Sequence, residues 1–515
     1  MIVKTVGKKE AKVRRLLEIL IGLATWTLFL SPVWLGLLAP KVMILYITFL
    51  TVWWCYLAIR HTVGTIISYR KYQRELKKDW AQECEKLDFS ALPDKKTLPP
   101  SLQGTKHFVL IPVVNEPDGV LLGCIGSLVS QAYPLNRVML VFTAEEKFAE
   151  DTISRIKNLL ADNIEKFEEV LFETHPAGIP GEAVGVAGAN RDWGARKAIG
   201  HLEKTGQNLR NYIFTTFDSD SQLHHQFLAR LTHLYLTTDR RDNHFYSTAI
   251  HLFNNNIWEV PMMMRIEANA VTLGSMSDWG VTHRDLKETF SCYSVSLQTL
   301  IDADFWDVKL GVDDTIFYWR AFTVRNGDFN GIEHYIPYSA DAVQAETYWR
   351  SHVSMYRQLR RWGWGAISVP LSLTEFLKNK KIPAAKKLLW TIKHVETRIM
   401  FLSLVFLMTF GITIVTLVNR DSQQINLIYS LPNVLSTLLT GTMLLILPLT
   451  ILRLKIVKPW PQNWNILRKF FSLLEGPLVI LNLFTYSLIP WVDAQTRMML
   501  GMRMKNLYHT PKIRN

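Results

Sequence analysis

Cysteine is scarce in this chain of 515 residues, and the four that occur (Cys55, Cys84, Cys124 and Cys292) are scattered without metal-ligand spacing. That pattern speaks against a zinc site and fits a reduced, cytosolic catalytic region. Internal repeats and low-complexity tracts are also missing. Formal charge is absent from residues 42–59, 399–418 and 434–452, each about the ~20 residues needed to cross a bilayer core. Residues 16–38 are apolar apart from Glu18, and residues 470–492 form a fifth candidate span, interrupted by Glu475 and the Gly476–Pro477 pair. The first segment lacks a small-residue cleavage site and a second span follows almost at once, so it reads as a span rather than a secretory signal. Acidic residues are the minority among the charges, leaving a formal net charge of +13. Basic flanks of membrane spans and an anionic substrate both account for it. Arg and Lys crowd at 357–361 and 378–393, beside apolar segments, which excludes a nucleic-acid partner.

The basic residues also predict orientation. Lys4, Lys8, Lys9, Lys12, Arg14 and Arg15 precede the first span and place the N-terminus on the cytoplasmic side. Residues 1–60 then read as a transmembrane hairpin, 61–105 as a helical linker, 106–350 as a cytosolic domain and 351–395 as interfacial amphipathic helices. Residues 396–515 read as a C-terminal transmembrane region with a basic tail. The tail (Arg497, Arg503, Lys505, Lys512, Arg514) is expected inside, with 470–492 re-entrant or interfacial rather than spanning.

Within 106–350, HFVLIPVV (107–114) and RVMLVFT (137–143) are continuous apolar runs, the pattern of strands buried on both faces. Helical periodicity at 121–131, 154–167 and 190–205 alternates with strand-like 169–173 and 212–217. Strand–helix–strand alternation predicts an α/β fold with a parallel sheet and right-handed crossovers. Ligands bind such sheets beyond the carboxyl ends of the strands.

The run YIFTTFDSDSQ (212–222) ends a strand in two aspartates. In extended backbone Asp218 and Asp220 project to one side. Two carboxylates a few ångström apart repel by about 4 kcal/mol at an effective dielectric near 20. Mg2+ or Mn2+, held by Asp218 and Asp220 and completed by water and phosphate oxygens, removes that penalty. The alternative is a solvated acidic turn capping a helix from Ser221 onward. His224 and His225 read as surface or supporting residues on that helix.

With the motifs IPVVNEP, SLVSQAYP, FDSD, GVDDT and QLRRW in this order, the region 106–370 resembles the membrane-embedded branch of family 2 glycosyltransferases, the inverting enzymes with a GT-A fold that include cellulose- and hyaluronan-synthase-like proteins. The resemblance implies roles residue by residue. Asn115 and Glu116 would hold the nucleotide base, with Val114 where the family usually carries an aromatic. Glu145 would read the base or ribose, although Glu145 and Glu146 equally suit a helix N-terminus. The small-residue loop VAGAN (186–190) would approach the diphosphate and bring Asn190 with it.

Asp314 would be the general base that takes the acceptor's proton, with Asp313 supporting it. Here too a helix cap before IFYWR is the plain alternative. Gln358, Arg361 and Trp362 share one helix face by their i, i+3, i+4 spacing. The resemblance puts Gln358 and Arg361 on the leaving diphosphate and Trp362 on the acceptor sugar. A basic, aromatic helix lying on the membrane surface is the alternative. The closing string WVDAQTRMMLG (491–501) is similar to the C-terminus of bacterial membrane glycosyltransferases.

Together these imply a multi-pass protein of the plasma membrane with a cytoplasmic catalytic domain. It would transfer sugar from a nucleotide-diphosphate sugar to a growing polysaccharide, with membrane lipids as neighbours. A single transfer to a polyprenol-phosphate or other lipid-linked acceptor is the second reading, and a homo-oligomer is one way to complete an export channel. A non-catalytic nucleotide-sugar-binding protein is a third. A transporter is disfavoured because the spans lack charges facing each other.

Overall fold

The computed structural model describes residues 7–183, 187–424, 426–502 and 510–514. Lys4, Val186 of VAGAN, and Arg503 and Lys505 of the tail lie outside the described residues. The chain divides into two compact units. One comprises Met1–Ile67, Arg265–Val281 and Met355–Arg503, and the other Ser68–Met264, Thr282–Ser354 and Met504–Asn515.

The second unit is α/β. Its strands are β1 (Lys106–Val113), β2 (Val138–Glu145), β3 (Glu169–His175), β4 (Tyr212–Thr216), β5 (Gln222–Leu223), β6 (His244–Thr248), β7 (His251–Leu252), β8 (Tyr293–Ser296), β9 (Asn330–His334) and β10 (Tyr338–Ser339). Seven of them form one sheet in the order β3-β2-β1-β4-β8-β6-β9, and β5-β10-β7 form a small second sheet. The apolar runs behave as their composition requires: β1, β2 and β4 are buried almost throughout. The crossover helices are Asp118–Val129, Ala149–Leu160 and Ala187–Lys204.

The sheet is not wholly parallel. β8 runs antiparallel to both β4 and β6. Between β7 and β8 the chain leaves this unit for the helix Met262–Val281, most of which belongs to the other. Parallel pairing needs a crossover of a dozen or more residues packed on the sheet, and this excursion is not one, so β8 is free to enter in the opposite direction. Its four residues, YSVS, also alternate polar and apolar and so lack the continuous run that marks the other central strands.

β1 and β4 part at the strand order's reversal. Their pairing stops at Leu110 and Thr216, where the Thr216 hydroxyl donates to the Leu110 carbonyl at 3.0 Å. Two residues on, Pro112 has no N–H to continue a ladder. The chain after β4 therefore peels away and carries FDSD beyond the sheet. Behind it, the helix Ala187–Lys204 lies unusually close to the strands. A Cβ at Gly194 would stand 1.9 Å from Thr143 Oγ1 and 3.0 Å from Thr143 Cβ.

The other unit is helical. Pro40–Glu75, Ala384–Val418 and Leu431–Ile456 are long and apolar enough to cross a membrane. The expected first span is instead two helices, Lys8–Phe29 and Ser31–Leu38, bent by 61°. Pro32, in the first turn of the second helix, cannot donate backward across the join. Residues 470–492 form no continuous helix: Ile466–Leu473, Val479–Phe484 and Ile489–Met499 are separated by turns. Met43, Ile44, Ile47 and Leu50 pack on Leu404, Leu407 and Val415. Charges do face each other here, against the expectation from sequence. Glu475 is buried between Arg453 at 2.8 Å and Arg265 at 2.7 Å.

Replacing Gly194 by Val tests the close approach of helix to sheet. Overpacking of this kind costs about 1–3 kcal/mol. Thermal unfolding followed by circular dichroism should show a lower Tm for Gly194→Val than for a Gly200→Val control, whose site has open space.

Candidate active site

The carboxylates gather at the carboxyl end of β4. Residues 218–221 do not continue the extended strand. They close a tight turn, with Ser221 N donating to the Asp218 carbonyl at 2.9 Å. The extended geometry expected for the pair is therefore replaced by a turn, because β1 no longer pairs with β4 there. The helix-capping alternative also falls for these two residues, since β5 follows and the next helix starts at Phe227. His224 and His225 precede that helix rather than lie on it.

Asp218 and Asp220 meet different cations. Asp218, half exposed, accepts from Arg191 Nη2 at 2.7 Å. Asp220 is buried; its Oδ2 accepts from Asp341 N at 3.2 Å and pairs with Lys512. Asn255 Nδ2 ties this corner together, donating to the Asp220 carbonyl at 2.8 Å and to Asp341 Oδ1 at 2.9 Å.

Arg191 is the hub. It is 2% exposed, and its guanidinium also reaches Asp313 Oδ2 at 2.5 Å and Asp314 Oδ1 at 3.4 Å. Gly188 lets its helix sit this near, since a Cβ there would approach Asp313 Cβ to 2.7 Å. Asp313 and Asp314 open the helix Asp313–Val324, but its N-cap is Val312 and no side chain caps it, so the capping alternative falls and their side chains serve the site. Ser291 N donates to Asp314 Oδ2 at 3.1 Å, and the Thr289 hydroxyl to its carbonyl at 2.6 Å. Burial and the neighbouring Asp313 carboxylate push the Asp314 carboxyl up to about 8, against the opposing pull of Arg191. A carboxylate with raised proton affinity is the kind of group that removes a proton from a hydroxyl near neutral pH.

The other residues expected at the site spread along the same sheet edge. After β1, buried Glu116 accepts from Val114 N at 2.8 Å, while Asn115 is exposed and accepts from Arg155 Nη2 at 3.0 Å. Asn190 Nδ2 donates to the Val113 carbonyl at 3.2 Å, and its Oδ1 is buried with no hydrogen-bond partner. Glu145 ends β2 and also stands at the N-cap of the short 3-10 helix Glu146–Phe148, as the helix-end alternative expects, and it contacts His175 Nδ1 at 3.2 Å. His175 Nε2 faces Glu182 at 2.9 Å. Burial disfavours the charged imidazole, but hydrogen bonds to these two carboxylates outweigh it and raise its proton affinity.

Gln358, Arg361 and Trp362 belong to the helical unit, on the continuous helix Tyr348–Gly363. Within that unit the helix is pinned to WVDAQTR. Asp493 accepts from the Tyr356 hydroxyl at 2.8 Å and from Arg360 at 3.3 Å. A Cβ at Gly363 would stand 2.8 Å from Ala494 Cβ. The closing string thus has a structural partner.

Sequence reading missed Arg191, Asp341 and Asn255. A signal existed for Arg191, a charge on a helix face otherwise made of buried Gly188, Ala189, Gly194, Ala195 and Ala198. Asp341 and Asn255 sit in no motif.

Among the described residues, no group of three or more His, Cys, Asp or Glu side chains could hold a metal ion. The donor set at Asp218 and Asp220 is nonetheless all oxygen, and protein cations already stand against both carboxylates. Such a set suits Mg2+ or Mn2+ that keeps water and phosphate ligands.

No family model matches the chain, and no curated protein matches it in sequence. Among solved structures it is similar to the mannosyltransferase PcManGT from Pyrobaculum calidifontis, in complex with GDP-Man and Mn2+, with a TM-score of 0.41 and 13% identity over 86% of this chain and 98% of that one. It is also similar to residues 1–349 of S. aureus TarS in complex with UDP-GlcNAc, with a TM-score of 0.33 and 12% identity over 77% of this chain and 92% of that one. Likeness at this level assigns no activity.

The Asp313–Asp314 pair gives a signed pH prediction. Asp313→Asn removes a repelling charge, so the Asp314 carboxyl should ionise at lower pH. Carbon-13 NMR of labelled aspartate across a pH titration should show that downward shift, and an unmoved Asp314 resonance would refute the electrostatic account.

Proposed function

We propose that this protein is an inverting, metal-dependent glycosyltransferase of the GT-A type, anchored in a membrane with its catalytic unit on the cytoplasmic side. It takes a nucleotide-diphosphate sugar as donor and a growing polysaccharide as acceptor. The observation that carries the reading is the convergence of Asp218, Asp313 and Asp314 on one buried guanidinium at the carboxyl edge of the sheet.

An inverting transfer needs one in-line displacement. The acceptor hydroxyl oxygen attacks the anomeric carbon as its proton passes to the Asp314 carboxylate. The bond from that carbon to the diphosphate breaks, and its electron pair leaves with the nucleoside diphosphate. Arg191 and Asp313 hold Asp314 in position and oppose each other in setting its proton affinity. Ser291 N fixes the second Asp314 oxygen. A divalent cation on Asp220 and Asp218 would supply charge stabilisation for the leaving diphosphate. Asn115, Glu116, Glu145 and Asn190 line the edge assigned to the nucleotide.

A lipid-linked acceptor is the second reading. Among the described residues three helices are of spanning length, or four if the bent pair counts as one, a number that also suits a protein acting on a lipid-linked acceptor.

Asp314→Asn should reduce transfer by at least about a thousandfold while nucleotide binding persists, in line with the 10²–10⁴ typical of general base catalysis. Retained turnover in that variant would reject the assignment. Asp220→Ala should weaken nucleotide binding in Mn2+ but not without it, as calorimetry can measure. Protein in lipid, offered a panel of radiolabelled nucleotide sugars that includes GDP-Man and UDP-GlcNAc, distinguishes the acceptors: high-mass polymer supports the first, a single-sugar lipid product the second.

A further inference from the structure

The segment 510–514 belongs to the α/β unit and reaches the same carboxylates. Lys512 Nζ pairs with Asp220. Arg514 Nη1 lies 3.6 Å from Asp341 Oδ1, and its Nη2 donates to the Val120 carbonyl at 3.4 Å. These are not surface pairs: the Asp220 and Asp341 side chains are 4% and 3% exposed, and those of Lys512 and Arg514 are 18% and 14% exposed. By sequence the two cations read only as an inner-face basic tail. Here they form a strap over the acidic corner.

Three buried polar atoms along this strap and its partner have no hydrogen bond among the described residues: Thr510 Oγ1, Arg514 Nε and Asp341 Oδ2. Buried polar groups are nearly always paired in folded proteins. Arg514 Nε and Asp341 Oδ2 thus leave hydrogen-bonding capacity at this corner that a polar ligand can take up.

Charge balance says which ligand the corner takes with the strap in place. Asp220 and Asp341 contribute two negative charges, Lys512 and Arg514 two positive, so the cluster is neutral as it stands. A nucleotide-diphosphate sugar carries two negative charges on its diphosphate and a divalent cation carries two positive, so that pair is neutral too. Adding the second to the first needs no expulsion of the strap. Withdrawing the strap would instead leave two buried carboxylates with a neutral ligand, and uncompensated buried charge is strongly unfavourable.

We propose, on the basis of the donor reading above, that the strap 510–514 is a fixed wall of the donor site and that Lys512 binds the donor diphosphate. In the free protein its ammonium serves as counter-ion to Asp220. When donor and cation arrive, Lys512 moves from the carboxylate to a phosphate oxygen, and Arg514 remains on Asp341.

The test uses the full-length protein in lipid nanodiscs, without acceptor, and calorimetry with UDP and GDP in Mn2+, and with uridine and guanosine as controls. Lys512→Met should weaken binding of whichever diphosphate the protein takes by about tenfold or more, the value of a charged hydrogen bond. Binding of the matching nucleoside should stay unchanged, and Lys512→Arg should restore most of the loss. Equal binding by Lys512→Met overturns the proposal, and tighter binding overturns it in favour of a displaceable plug. Equal loss with the nucleoside also overturns it, because it signals a structural role alone. If the unaltered protein binds neither diphosphate, the donor reading itself fails.

Discussion

Arg191 shares its guanidinium among Asp218, Asp313 and Asp314, and it does so almost out of contact with water. One positive charge cannot neutralise three negative ones. Burial first, and then this excess through Asp313, raises the proton affinity of Asp314, and the excess makes the neighbouring rim a place where cations are favoured. Removing the guanidinium would leave uncompensated buried charge, a change that typically costs 3–5 kcal/mol. The position of the helix Ala187–Lys204 is thus a chemical requirement, and Gly188 and Gly194 are the residues that permit it.

The same arrangement divides the acidic residues into two corners. Asp218, Asp313 and Asp314 belong to Arg191, while Asp220 and Asp341 belong to Lys512 and Arg514. The first corner has an excess of negative charge and suits proton transfer. The second is balanced and suits a ligand that brings its own counter-charge. Two aspartates of one motif, a single serine apart, therefore serve different electrostatic neighbourhoods.

Much of this was legible in the chain itself. Continuous apolar runs announced β1 and β2, because strands buried on both faces need no alternation, and strand-like character marked β4. FDSD and GVDDT marked acids whose place at the sheet edge follows from strand–helix alternation. What escaped detection were relations between distant segments. Arg191 touches acids from two other parts of the chain, and Lys512 reaches a turn 292 residues earlier in sequence. No local period encodes such pairs. β8 was hidden for another reason: four residues of alternating character carry too little signal, and its reversed direction depends on an excursion outside the unit. The bend after Phe29 does not show in the length of the apolar stretch, because it arises at the join beside Pro32.

The reversal of β8 matters beyond topology. Parallel strands all turn the same terminus toward one rim, so β1, β2 and β4 bring their carbonyl-rich ends there. β8, paired with β4 from Tyr293 opposite Thr216, arrives at that rim with its opposite terminus. The peptide just before it thus offers hydrogen instead of oxygen, as Ser291 N does to Asp314. A single strand inserted head-first gives an acid-lined edge a backbone donor that only a proline at Ser291 would delete.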